Sequence, residues 1–208
     1  MFWDWWQSLF VDMSSTNFYN FSFLPKYGYA VIQGVEYTLI LSVISVLMAV
    51  LPALLLATMR LSKNRAVRCI SGAYIAAFRS TPILVQLMII YYGVFSVIVV
   101  PKFMIFGFID STRFVPGVVA LALNSSAYVA EIFRSGIMSV DQGQFEAGRS
   151  LGFSYGQTMW HIIAPQALKN VLPALANEFI TLLKETSICG YIALTDITHG
   201  ANTIRSQT

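Results

Sequence analysis

The sequence predicts an all-α fold, a polytopic bundle of transmembrane helices. Three observations carry that prediction. Of 208 residues, 56% are hydrophobic and only 11% are charged, whereas soluble domains carry about 25% charged residues. The apolar residues gather in runs long enough to cross a bilayer core, which takes about 20 residues of helix. The basic residues cluster at the ends of those runs. The whole of 1–208 reads as one transmembrane domain. A net charge of +3 spread over segment ends gives no nucleic-acid surface.

Residues 1–34 are aromatic-rich and broken by polar groups, with Trp3, Trp5, Trp6, Phe10, Tyr19, Phe23 and Tyr27 among them. They suit an in-plane amphipathic segment at headgroup level. The first span is expected at 35–59, where Glu36 is the only ionisable group and Pro52 lies inside. Arg60, Lys63, Arg65 and Arg68 follow, four of the thirteen basic residues. The positive-inside rule places that loop in the cytoplasm, and therefore the N-terminus outside.

Residues 66–100 are too long for one plain span, and Arg79 would be costly at its centre. The stretch divides at Arg79-Ser80-Thr81-Pro82: a helix over 66–78 at the cytoplasmic interface, then a span over 82–99. A short outer loop leads to a span at 114–138, whose centre carries Asn124, Ser125, Ser126 and Tyr128. Glu131 and Arg134, three apart, share one helical face. Residues 139–158 form a polar cytoplasmic loop. Good helix formers run from Gln144 to Leu151, and Gly152 is placed to end that helix in the left-handed conformation. Pro165 and Pro173 divide the next stretch, so the fourth span is expected at 168–183, with Glu178 inside it. Residues 187–208 are too polar for a plain span.

Catalytic chemistry has no sequence support. There is no Gly-x-x-x-x-Gly-Lys-Ser/Thr, Gly-x-Ser-x-Gly or His-Glu-x-x-His. His161 and His199 stand apart, and Cys69 and Cys189 fall on opposite membrane sides, so no metal site and no disulfide are expected. Two polar groups of residues remain. Gln86, Asn124, Ser125, Ser126, Tyr128, Glu178 and Thr181 lie near mid-membrane, where they can line a path for a polar solute or join helices by hydrogen bonds. Arg79 and Glu131 lie at similar depth, and an interhelical ion pair between them is expected because a lone charge there is expensive.

The loop carries a more specific signal. Glu146-Ala147-Gly148, three residues, Gly152, nine residues, then Ile162-Ile163-Ala164-Pro165 resembles the EAA motif of permease subunits of bacterial ABC importers. Gly148 stands for the motif's second Ala, and Ala164 for its Leu. The stretches Arg79-Ser80-Thr81-Pro82-Ile83-Leu84-Val85-Gln86, Asn124 to Gly136 and Asn177 to Ser187 resemble the polar amino-acid uptake subfamily, with Ser80 in place of a common Gly.

The resemblance implies a permease subunit that forms a translocation path for a polar amino acid. It implies a coupling helix bearing Glu146, Ala147, Gly148 and Gly152, followed by Pro165, docked on a cytoplasmic ABC ATPase dimer. ATP and Mg would bind that partner, and this chain would need no cofactor of its own. It further implies a second permease copy, an extracytoplasmic amino-acid-binding protein, and residence in the bacterial cytoplasmic membrane. The family's fifth, C-terminal span is absent from these residues. Two other readings stay open: an ion-gradient-driven secondary carrier, which should show inverted repeats, and a membrane anchor or assembly protein without transport.

Overall fold

The computed structural model describes residues 24–207, and nearly all of them are helical. Helix α1 (Leu24–Leu61) is 38 residues long, or about 57 Å at the helical rise. It is apolar all round. Leu41, Ala49, Ala53 and Ala57 are buried, while Leu47, Leu51 and Leu55 are exposed on the other side, as suits a helix between protein and lipid. Pro52 lies inside it.

This corrects the expectation for the N-terminal segment. Residues 24–34 are not in-plane but continue α1, and the expectation for 1–23 lies outside the described residues. Two glycines explain the extension. A Cβ on Gly34 would stand 2.6 Å from the Asp196 carbonyl oxygen, and one on Gly200 would stand 2.5 Å from that of Ala30. Backbone meets backbone there, so the last helix of the chain clamps the start of the first.

Asn64 caps α2 (Arg65–Ser80), its side chain accepting from the Ala66 amide at 2.9 Å. Helix α3 (Ile83–Met88) follows after a bend of 105° and runs on as a π-helical turn over Ile89–Val94. The expected division at Arg79 to Pro82 is where the bend falls. Helical structure stops at Val94, short of the expected end at 99. A two-stranded hairpin fills the next loop, with β1 (Met104–Ile105) antiparallel to β2 (Ile109–Asp110). Its turn needs positive φ at Phe106 (52°) and Gly107 (80°), the twist that suits a tight hairpin.

Helix α4 (Ser111–Met138) is the axis of the fold. Asp110 caps it, accepting from the Thr112 amide at 2.9 Å and hydroxyl at 2.7 Å. Phe114, Val118 and Leu121 pack with Leu41 of α1, Leu87 of α3 and Leu182 further on. A second cluster joins Ala53, Leu56, Ile75, Ala127 and Ala130. The chain then runs through α5 (Gln142–Ser150), α6 (Tyr155–Thr158), a π-helical turn over Met159–Ile163 and α7 (Ala164–Glu185). A 3-10 helix (Thr186–Ile192) and α8 (Ile197–Gln207) close the described chain.

Two helices among the described residues are long and apolar enough to cross a membrane, Tyr27–Leu61 and Ser111–Met138; the bent α2–α3 pair qualifies only if taken as one broken span. Helix α7 contains the expected span at 168–183 but carries Lys169, Glu178, Lys184 and Glu185. Pro165 sits in its first turn, and Pro173 lies inside without dividing it. The expected break at Pro173 is therefore corrected: the helix continues on both sides.

Candidate functional site

The loop after α4 folds as two helices joined at a corner that caps hold on both sides. Asp141 caps α5, accepting from the Gly143 amide at 2.6 Å. At its far end Gly152 adopts φ +85°. The Gly152 amide donates to Arg149 O at 3.0 Å and the Phe153 amide to Gly148 O at 3.2 Å. This is a Schellman arrangement, which satisfies the last carbonyls of a helix and favours glycine at that position. Ser154 and Gln157 then form a reciprocal capping box that starts α6.

The glycine that departs from the motif makes this corner tight. Gly148 is buried, and a Cβ there would stand 2.7 Å from Thr158 Cγ2 and 2.9 Å from Ile162 Cδ1. The smaller residue does not leave a looser helix, because α5 settles onto Thr158 and Ile162. Phe145 and Tyr155 close the other side, with ring centroids 4.9 Å apart.

Glu146 and Ala147 point to solvent while Gly148 faces inward. Around them Leu151 and Trp160 are each 75% exposed, and Met138 and Tyr155 are exposed too. A cleft of about 540 Å³ lies beside α5, lined by Met138, Val140, Asp141, Phe145, Tyr155 and Met159. Exposed apolar groups thus sit beside the polar edge formed by Glu146, Gln142 and Arg149. Pro165 is removed from that surface, in the first turn of α7.

The second group lies along α4. Ser126 is fully buried; its hydroxyl bonds Leu123 O at 2.7 Å and lies 2.9 Å from Tyr74 Oη, which itself donates to Leu123 O. Sequence reasoning missed Tyr74, whose hydroxyl ties α2 to α4. Ser125 donates to Glu178 Oε1 at 3.0 Å, joining α4 to α7. Asn124 is buried on the same helix. Thr181 is exposed and bonds within its own helix, to Asn177 O.

The expected pair of Arg79 with Glu131 is not formed. Glu131 accepts from Arg134 Nε at 2.7 Å, and Arg60 Nε stands 3.9 Å from its other oxygen. Arg60 comes from the end of α1, seventy-one residues earlier, and it reaches in where Gly72 leaves room: a Cβ there would stand 2.9 Å from Arg60 Nη1. With Glu131 occupied by these cations, the Arg79 guanidinium instead lies over the Tyr128 ring, 5.2 Å from its centroid. Arg79 therefore rests on Tyr128 and Glu178 on Ser125, two positions three residues apart on α4, while Glu131 belongs to a separate cluster with Arg134 and Arg60. Among the described residues, no group of three or more His, Cys, Asp or Glu side chains could hold a metal ion.

The described residues thus form a helical bundle with an exposed, double-capped loop and charged groups between its helices. The chain belongs to the family described as binding-protein-dependent transport system inner membrane component, whose model matches residues 45–205. It is similar to the arginine transport system permease protein ArtQ of Bacillus subtilis, 40% identical over 167 residues, 80% of this chain and 72% of ArtQ. The L-cystine transport system permease protein TcyB of the same organism is 37% identical over 176 residues, 84% of this chain and 70% of TcyB. A solved amino acid ABC transporter with histidines is 43% identical, covering 90% of this chain and 83% of that one with a TM-score of 0.79.

The chain is thus a membrane-embedded permease subunit of an ABC importer for amino acids. It has no catalytic activity of its own; the ATPase is a separate subunit, and a substrate-binding protein completes such systems. The carrier and anchor readings find no support.

Proposed function

We propose that α5 is the coupling helix through which this permease meets a cytoplasmic ATPase dimer, and that Arg79 and Glu178 supply the charges that receive the amino acid. The coupling reading rests on one observation: Glu146 and Ala147 are exposed on a helix whose opposite side, at Gly148, has no room for a Cβ. Such a helix moves with what lies behind it. A push on Glu146, Ala147 and Leu151 passes through Gly148 to Thr158 and Ile162, and on through Pro165 into α7. Gly152 closes the corner. ATP and Mg bind the ATPase partner in this account.

The path reading has its own support. A zwitterion needs a cation and an anion to receive it, and burying either alone is costly. Arg79 over Tyr128 and Glu178 held by Ser125 are such a pair on two different elements. The named substrates of ArtQ and TcyB, arginine and L-cystine, differ in their side chains and share the α-ammonium and α-carboxylate. Asn124 on α4 and Thr181 on α7 contribute further polarity. A second permease copy, facing the first, encloses the path. The basic residues at 60–68 support a cytoplasmic α5 and an outer N-terminus, and the reading takes the two long apolar helices, the bent α2–α3 pair and α7 as the crossings.

The test is reconstitution with the ATPase and binding protein in liposomes, measuring amino-acid-stimulated ATP hydrolysis and uptake. Glu146→Arg should uncouple the complex, leaving little substrate-stimulated hydrolysis. Glu178→Gln should leave the ATPase bound while uptake falls by about tenfold or more, the scale of one lost charge contact of 1.4 kcal/mol. Full stimulated hydrolysis and uptake in Glu146→Arg would overturn the coupling reading.

A further inference from the structure

One side chain holds the 105° corner between α2 and α3. The Gln86 amide nitrogen donates to Phe78 O at 2.7 Å, to Thr81 O at 3.0 Å and to Thr81 Oγ1 at 2.8 Å. Its two hydrogens are shared among these three acceptors. The Thr81 hydroxyl donates onward to Ala77 O at 2.8 Å. A helix leaves its last carbonyls without intrahelical partners, and away from water each orphan is expensive. Gln86 and Thr81 between them satisfy those at the end of α2. On the far side, the Val85 and Gln86 amides bond Pro82 O, so the backbone is held both before and after Arg79.

The amide has no donor left for a solute, and burial keeps its oxygen from one. Gln86 is 7% exposed, its nitrogen is committed, and its Oε1 is buried without a partner among the described residues. Arg79, by contrast, is exposed, with its guanidinium over Tyr128. We infer that Gln86 is a positioning residue: it staples the corner from Phe78 to Thr81 so that Arg79 stays over Tyr128 and meets the amino acid's carboxylate. Gln86 itself does not touch substrate. This rests on Arg79 and Glu178 as the substrate's charge partners.

The experiment uses the full reconstituted complex and compares Gln86→Met, Arg79→Gln and the double variant. Methionine keeps the length and loses the donors. Each single variant is expected to raise the KM for uptake about tenfold, with kcat little changed. The double variant is expected to rise no further, because residues acting through one another are not additive. A double variant near the product of the two, about a hundredfold, overturns the proposal, as does an unchanged KM in Gln86→Met. Thr81→Val, which removes only the hydroxyl, should raise KM a few-fold.

A second readout is independent of transport. Nitroxide labels at Ala73→Cys and Val94→Cys, in a Cys69→Ser background, report the bend by electron-spin distance measurement. A narrow distribution should broaden in Gln86→Met; an unchanged one overturns the staple. Broadening together with an unchanged KM in Arg79→Gln supports the staple and overturns the substrate role of Arg79 beneath it.

Discussion

Two sharp corners in this permease are built in opposite ways. The α5–α6 corner is exposed, and backbone bonds and glycines hold it: the left-handed Gly152, the two amides that return to Arg149 and Gly148, and the Ser154–Gln157 box. The α2–α3 corner lies among apolar helices, and side chains hold it: Gln86 and Thr81. The residues that follow each helix explain the difference. At the α5–α6 corner Gly152 takes positive φ, so backbone amides turn back onto the last carbonyls of α5. At the α2–α3 corner Thr81 and Pro82 run extended, so a side chain delivers the donors that the end of α2 lacks. An exposed corner built this way is rigid and leaves its side chains free for a partner. An inner corner built this way depends on a single amide.

The largest effect that would break this contrast is at Gly148. Gly148→Val places a branched side chain where even a Cβ is too close to Thr158 and Ile162, and overpacking of this kind costs about 1–3 kcal/mol. Coupled ATP hydrolysis should fall sharply while the ATPase of the isolated partner is unchanged. Gly152→Ala comes next. An L-residue at φ +85° costs about 1–2 kcal/mol, and thermal unfolding of the detergent-solubilised permease should report it as a lowered midpoint. On the inner side, Tyr74→Phe removes the hydroxyl that bonds Leu123 O and Ser126; interhelical bonds in membranes average about 0.6 kcal/mol, so a small but measurable loss is expected in the same assay. Smallest of all is Arg60→Gln. Its contact with Glu131 is long, at 3.9 Å and partly exposed, and pairs of that kind contribute about 0–1 kcal/mol, while Arg134 continues to hold the carboxylate.

What could be read in the sequence was the chemistry that acts locally. Gly152 after Leu151 and the break at Arg79 to Pro82 depend on neighbours a few residues away and are found at those places, and the helix expected over Gln144 to Leu151 is found as Gln142–Ser150. What could not be read depends on distant packing. Glu131 meets Arg60 because Gly72 opens a passage for it, and that leaves Arg79 to Tyr128. Residues 24–34 continue α1 because α8 returns to grip Gly34 and Ala30. Pro173 stays within α7 although its residue type argues for a break. Phe106 takes positive φ, which only the hairpin around it explains. At Gly148 the departure from the motif was visible, but its sense was not, since a missing Cβ loosens a helix only if nothing moves in to fill the space.

The central claim is that the exposed edge of α5 is where the ATPase sits. Ala147→Cys in a Cys69→Ser background, with Cys189 left buried, places one reactive thiol on that edge. The assembled complex is treated with a short bifunctional thiol reagent and the adducts are resolved by mass. A permease–ATPase adduct from Cys at 147, and none from Tyr191→Cys near α8, is the predicted result. An intact, ATP-hydrolysing complex in which the thiol at 147 stays free and unprotected would contradict it.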